Sequence, residues 1–323
     1  MENKDLARLD LATSVTVNST YAGQFAGKYI SAALLENSTI SRDLISVNQN
    51  IKFKWVVKKG VLTGIIGAGS CDFTPTGTLT LSERTLTPIE LQVNLTLCKQ
   101  DFRQDWEAEA MGMSAYDQMP PKFQDWLIAE VLGQIGQQIE TTIWHGNSAN
   151  AGEFSGFVTL MTADAGVIDV TGTTITALNV IAELKKVVDA IPKTVYGKSD
   201  TYLYVADNVY RSYVNALGGF GAAGLGSQGV DNKGTMWMNQ DPTAPLFFDG
   251  IPVYRIEGLN ASFMVAAQKE NLWFGTGILN DSNEVRVVDT SEILGDQNVR
   301  FISRWTSGVQ YGISEECVLY TPA

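Results

Sequence analysis

The chain has 323 residues, 45% of them hydrophobic and 18% charged, with a formal net charge of −12. That length supports a substantial core in more than one lobe, and with no apolar run of some 18 residues it has no candidate spanning helix. The acidic balance, with no basic cluster beyond Lys52, Lys54, Lys58 and Lys59, excludes the footprint that a grip on nucleic acid requires.

Residues 1–50 are polar and weakly periodic. Tyr21, Phe25, Tyr29, Ala32 and Ala33 can share one helical face, so the segment reads as an arm that needs a neighbour to bury it. The opening Met1-Glu2-Asn3-Lys4-Asp5 lacks the form of a secretory signal. Cys71, Cys98 and Cys317 are too few and too scattered for a disulfide framework or a zinc cluster. Both fit a reducing cytosol.

From Ile51 the pattern turns to strands. Ile51, Phe53, Trp55 and Val57 alternate with lysines, and Leu79, Leu81, Ile89, Leu91, Val93, Leu95 and Leu97 resume the alternation on odd positions. Glycines at 60, 64, 67 and 69 lie between. The whole of 51–98 reads as one extended β-excursion. Its stripe of Ile51, Phe53, Trp55, Leu91, Val93 and Leu95 finds no cover within the segment and is expected on an adjacent subunit's long helix or closing hairpin. The four lysines are expected to face acidic groups there and to steer docking.

Next comes the longest helical signal. After Pro120-Pro121, residues Leu127, Ile128, Val131, Leu132, Ile135, Ile139 and Ile143 recur at steps of three and four up to Trp144. Proline is tolerated at a first helical position because its missing N–H has no partner there. A helix over 121–144 spans roughly 36 Å, long enough to serve as a beam. A polar loop, 146–156, follows. The next helix is predicted over 176–191, with Leu178, Ile181, Leu184, Val187 and Val188 inward and Pro192 at its end. Tyr202–Val205 reads as a buried strand and 208–217 as a helix capped by Asp207 or Asn208. Residues 218–234 are a glycine-rich loop without periodicity. Short strands are expected at Phe247–Tyr254 and Leu272–Gly275. At the end, Val299, Phe301, Trp305, Val309, Tyr311 and Ile313 share one parity, and with Val285–Val288 they form a long hairpin.

Catalytic constellations are missing from the sequence. His145 is the only histidine; without a second ligand or a paired cysteine it reads as a structural, solvated group past a helix C-terminus. The glycines of 218–234 follow a helix instead of preceding one, so they make no phosphate cradle, and no G-x-S-x-G elbow is present. Glu107/Glu109 and Glu315/Glu316 read as solvated or inter-subunit charges. Neither a catalytic residue, a cofactor site nor a metal site is expected.

The order of these parts resembles the major capsid proteins of tailed bacteriophages, the Hong Kong 97-type shell fold. The resemblance rests on Ile143-Trp144-His145-Gly146-Asn147 followed by Phe154-Ser155-Gly156-Phe157, on Gly250-Ile251-Pro252-Val253, on Asn271-Leu272-Trp273-Phe274-Gly275, and on the hairpin with Asp289-Thr290-Ser291 and Val309-Gln310-Tyr311-Gly312. It covers nearly the whole chain and implies an α+β fold. Residues 1–50 would be an N-terminal arm and 51–98 an extended β-hairpin loop. A peripheral domain would comprise 99–160 and 280–310 around the spine helix 121–144, and an axial domain 161–279 and 311–323. The implied function is a non-enzymatic major capsid protein that self-assembles into hexamers and pentamers enclosing double-stranded DNA, without sequence-specific binding and without a membrane. Assembly in the bacterial host's cytoplasm, a place in the virion, separate scaffold and portal proteins, and decoration proteins belong to the same picture. Candidate inter-subunit contacts are Phe53, Trp55, Lys58, Lys59, Leu91, Val93 and Leu95. The alternatives are an encapsulin-type nanocompartment shell, which uses the same fold, and a cytosolic hydrolase acting through His145.

Overall fold

A computed structural model describes residues 38–51, 53–69, 71, 77–98, 121–218, 246–277, 284–290 and 295–323. The predicted arm face Tyr21–Ala33, Lys52, the Glu107/Glu109 pair and the glycine loop from residue 219 lie outside them.

Two sheets carry the structure. The first holds β1 (Ser46–Asn48), β10 (Leu272–Thr276), β12 (Asn298–Tyr311) and β11 (Glu284–Asp289) in that order, with β4 (Ile89–Cys98) on the other side of β12. The hairpin is thus formed as predicted: β11 and β12 are antiparallel, Val287 opposite Phe301. Alternation decides which face of β12 goes inward. Val299, Phe301, Ser303, Trp305, Ser307, Val309 and Tyr311 are all buried, whereas Arg300 and Arg304 are exposed. Leu272–Thr276, expected in the axial lobe, joins this sheet because β10 pairs with β12 from Leu272↔Tyr311 to Thr276↔Ser307. The second sheet has the order β5 (Ile168–Gly172), β13 (Val318–Pro322), β9 (Met264–Gln268), β6 (Thr201–Ala206), β8 (Ile251–Ile256) and β7 (Leu246–Phe248).

The long helix, α2 (Pro121–His145), joins the sheets. Ile135, Ile139, Ile143 and Trp144 enter one core with Phe301 and Trp305 of the first sheet and Tyr204 and Val205 of the second. Trp144 lies between Phe157 at 5.4 Å, in α3 (Phe157–Ala163), and Tyr204 at 5.3 Å. Its indole N–H donates to Thr39 Oγ1 at 3.0 Å, in the short helix α1 (Ser38–Ser41). Thr39 in turn donates its hydroxyl (2.6 Å) and its backbone N–H (3.2 Å) to the buried Glu140 carboxylate. The turn after β8 presses on the same end of α2: a Cβ at Gly258 would fall 2.1 Å from the Glu140 carbonyl oxygen, so only glycine fits.

Helix α4 (Val180–Asp189) begins later than its periodicity suggests. Asn179 Oδ1 accepts the Thr176 N–H at 2.7 Å and its amide donates to the Thr174 carbonyl at 3.0 Å, closing a turn that delays the helix. Leu184, Val187 and Val188 point inward as expected, but Leu178, in that turn, is 96% exposed, and Ile181 is exposed as well. Helix α5 (Asp207–Gly218) completes the second lobe.

His145 corrects the solvated reading. Its Nε2 accepts the Asn260 N–H at 2.9 Å, and its ring stands edge-on to Phe263 at 4.9 Å. Burial lowers its pKa to about 4, so the neutral, accepting form is the folded one. The unfolded state binds the extra proton between that value and the usual 6.5, so this stability is fully present above the upper limit and fades as pH falls toward the lower. After allowance for partial solvent access it amounts to about 1–2 kcal/mol. His145→Ala removes that acid-side loss, so it is expected to flatten the melting profile between pH 4 and 6.5; at neutral pH it costs only the packing and the hydrogen bond to Asn260, about 1 kcal/mol. An unchanged profile would show that burial of the ring does not set its titration.

Candidate assembly surface

Strands β2 (Trp55–Thr63) and β3 (Thr78–Leu86) form a separate two-stranded antiparallel ribbon. The β-excursion is therefore shorter than its sequence pattern. Residues 89–98 leave it, because β4 pairs with β12 over ten positions, from Ile89↔Ser307 to Cys98↔Asn298.

Opposite residues in the ribbon share a face. On one face stand Trp55↔Leu86, Val57↔Arg84 and Lys59↔Ser82; on the other, Lys58↔Glu83, Gly60↔Leu81 and Leu62↔Leu79. At the root the first face is the packed one. Leu86, Ile51 and Trp273 form a small buried cluster joined by Trp55 and Val57, and the Trp55 and Trp273 rings meet edge-on at 4.9 Å. Gly275 of β10 leaves the space for this contact, since a Cβ there would lie 2.7 Å from Leu86 Cδ2.

Charge ties the root down. Arg84 ion-pairs with Asp164 and lies 4.5 Å from the centre of the Tyr311 ring. Tyr311 donates its hydroxyl to Asp164 at 2.8 Å, and the Gly166 N–H donates to the same carboxylate at 2.9 Å. The hydrogen bond from Arg84 leads in holding the Asp164 carboxyl down at about 2. Lys59 reaches Glu315 at 2.7 Å, an exposed pair that orients more than it stabilises.

Toward the tip the apolar side changes face. Leu62 (57% exposed), Leu79 (57%) and Leu81 (66%) stand on the second face, with Ile66 (94%) in the loop beyond. Between Gly60 and Ser82 the only charged residue is Asp72. A patch that is apolar, nearly uncharged and exposed is the mark of an interaction surface.

The candidate contacts divide accordingly. Phe53 is 83% exposed, and Lys58 and Leu95 are exposed too; these three are open to a neighbour. Trp55 and Lys59 are engaged by Trp273 and Glu315 of the same chain. Leu91 is buried in the main core and Val93 packs against it, so the expected cover for that part of the stripe comes from the chain's own α2 and hairpin. The physical reason is the pairing of β4 with β12, which supplies the missing layer from residues two hundred positions away. Sequence reasoning placed Leu79 and Leu81 in the alternating stripe without naming them as contacts, and passed over Leu62, Ile66 and Arg84. The long interval around Asp72 with no other charge was the available signal.

Solved structures place this architecture. The capsid of a native GTA particle matches with a TM-score of 0.57 at 13% identity, over 99% of this chain and 97% of that one. The capsid of Myoviridae phage XM1 matches with a TM-score of 0.58 at 12% identity, over 88% and 92%. Mycobacterium phage Cain matches with a TM-score of 0.56 at 16% identity, over 89% and 90%. No protein-family model and no curated protein sequence matches the chain. The chain has the mixed α+β fold of phage capsid structures, as its order of parts implied.

Proposed function

We propose that this chain is the repeating subunit of a tailed-phage head, a non-enzymatic major capsid protein that forms hexamers and pentamers around double-stranded DNA. The observation that carries the reading is the likeness to capsid structures along nearly the full length of both chains. The exposed ribbon tip supports it, because an exposed apolar patch of that kind marks an interaction surface. The net charge of −12 suits a container that repels DNA and binds no particular sequence. Location in the virion, assembly in the host cytoplasm, and separate scaffold, portal and decoration partners belong to the same proposal.

Neither rival gains an observation. The matching structures described above are of phages and a GTA particle, which gives an encapsulin-type role no particular support. His145 spends its acceptor nitrogen on a backbone N–H, which does not suit a general base.

The purified protein, concentrated and viewed by negative-stain microscopy, is expected to show rings or closed shells of uniform size. A strictly monomeric particle at high concentration by light scattering would sink the proposal.

A further inference from the structure

The second sheet ends in two strands whose register collects aromatic rings on one face. Phe247 of β7 stands opposite Pro252 of β8, and Tyr254 of β8 stands opposite Tyr204 of β6. Alternation puts Tyr202 and Pro252 on that same face, and the Tyr202 and Tyr254 rings meet edge-on at 5.0 Å. Helix α5 covers the other face, where Tyr213 meets Phe248 at 5.9 Å. At one end Tyr204 is buried against Trp144. Farther out the face opens: Tyr202 and Tyr254 are half-buried, and Phe247 is 53% exposed. A solvated sheet face ordinarily carries polar side chains.

Tyr196, Tyr202, Phe247, Asp249, Pro252 and Tyr254 line a half-open pocket of ≈ 450 Å³ there. Asp249 and Gly250 make the turn between β7 and β8 at its rim. Tyr196 donates its hydroxyl to Asp249 at 3.0 Å, and among the described residues no basic group bonds to that carboxylate. The cations nearby are placed elsewhere. Lys185 is paired with Asp189 at 2.8 Å, and Lys198, at the pocket wall, reaches Gln268 at 3.5 Å. Arg42 acts on the Tyr254 phenol from outside the lining.

We propose that this pocket binds a small alkylammonium ion, its charge against the Tyr202 and Tyr254 rings and beside Asp249. The site stands whether or not the chain forms shells. Three features choose this ligand. Aromatic rings attract a positive charge through their electron-rich faces, and best where water is partly excluded. The Asp249 carboxylate, without an ionic partner, adds to that pull and repels anions. A nucleotide would also stack on the rings, but its phosphate meets the wrong charge here. The size, finally, falls in the range of roughly 300–1,000 Å³ usual for small-molecule sites, more room than one side-chain head group fills. Alkyl groups on the nitrogen suit the tyrosine and proline walls, since they leave water at no cost.

Choline tests this against the neutral alcohol in which carbon replaces its quaternary nitrogen, because the two have the same shape and differ in charge. Each is titrated into the purified protein at constant ionic strength while the tyrosine rings are followed by NMR. Choline is expected to shift the Tyr202 and Tyr254 signals saturably. It should bind about fivefold more tightly than the alcohol, the ratio that an exposed cation–π contact supplies. Asp249→Asn keeps the turn, whose φ of 50° asparagine also adopts. That variant should weaken choline binding by a similar factor and leave both alcohol binding and the melting point unchanged. Tyr196→Phe keeps the ring and releases Asp249, so choline should bind at least as tightly. Equal affinity for choline and the alcohol would overturn the assignment, by showing a pocket that is merely apolar. So would an Asp249→Asn variant that binds choline like the wild type, or tyrosine signals that move with neither probe. Each of these results leaves the shell reading where microscopy puts it.

Discussion

Replacing Leu79 and Leu81 together by aspartate is expected to abolish assembly and leave the subunit folded. Both side chains are mostly exposed on the face of the ribbon turned away from its packed root. A charge there meets water in the free subunit, so the change in folding stability should stay within about 0.5 kcal/mol, as for ordinary surface substitutions. In a shell each new carboxylate would be buried at a subunit contact, at several kcal/mol per unpaired ion. A closed shell repeats that cost at every subunit contact. Light scattering at a concentration where the wild type forms particles is the measurement, alongside thermal melting of the subunit. Particles of normal size and yield would show that the tip is not a contact. A matching drop in subunit melting would show that it belongs to the internal core.

The largest effect on folding is expected at Trp144. It is fully buried, flanked by Phe157 and Tyr204, and its N–H holds Thr39, which holds Glu140. Trp144→Ala removes a large aromatic at a cost of about 3–5 kcal/mol. Loss of the indole N–H also disturbs the buried Thr39 hydroxyl and its carboxylate partner, which adds about 1 kcal/mol or more. That is a large share of the roughly 5–15 kcal/mol that holds a domain together. Trp144→Phe keeps most of the packing and loses the bond, so it should cost much less, about 1–2 kcal/mol. Urea unfolding midpoints of the two variants separate packing from hydrogen bonding. Equal losses in both would mean that the bond to Thr39, and not the ring, carries the joint between α2, the second sheet and residue 39.

Local periodicity made much of the fold legible. The spine helix was predicted over 121–144 and spans Pro121–His145, because its apolar stripe repeats every three or four residues without reference to anything distant. The parity of Val299 to Tyr311 likewise placed β12 and named its buried face. The candidate contacts were legible in part. Phe53 was named as one member of the odd-parity apolar stripe and stands 83% exposed, whereas the leucines of the tip were absorbed into the same alternation as Leu91 and Val93.

What the sequence determined by itself is therefore which faces must be buried, since alternation and helical spacing are properties of neighbouring residues. What covers each face was decided only by the tertiary structure. Leu91 and Leu81 carry the same signal in the sequence, yet β4 finds β12 across two hundred residues while Leu81 stays mostly exposed on the ribbon. The Glu140, Thr39 and Trp144 network is the polar counterpart, joining residues about a hundred positions apart. Burial is a demand written locally and met at long range. Strand register and the approach of separate layers choose the partner, and a hydrophobic pattern contains neither.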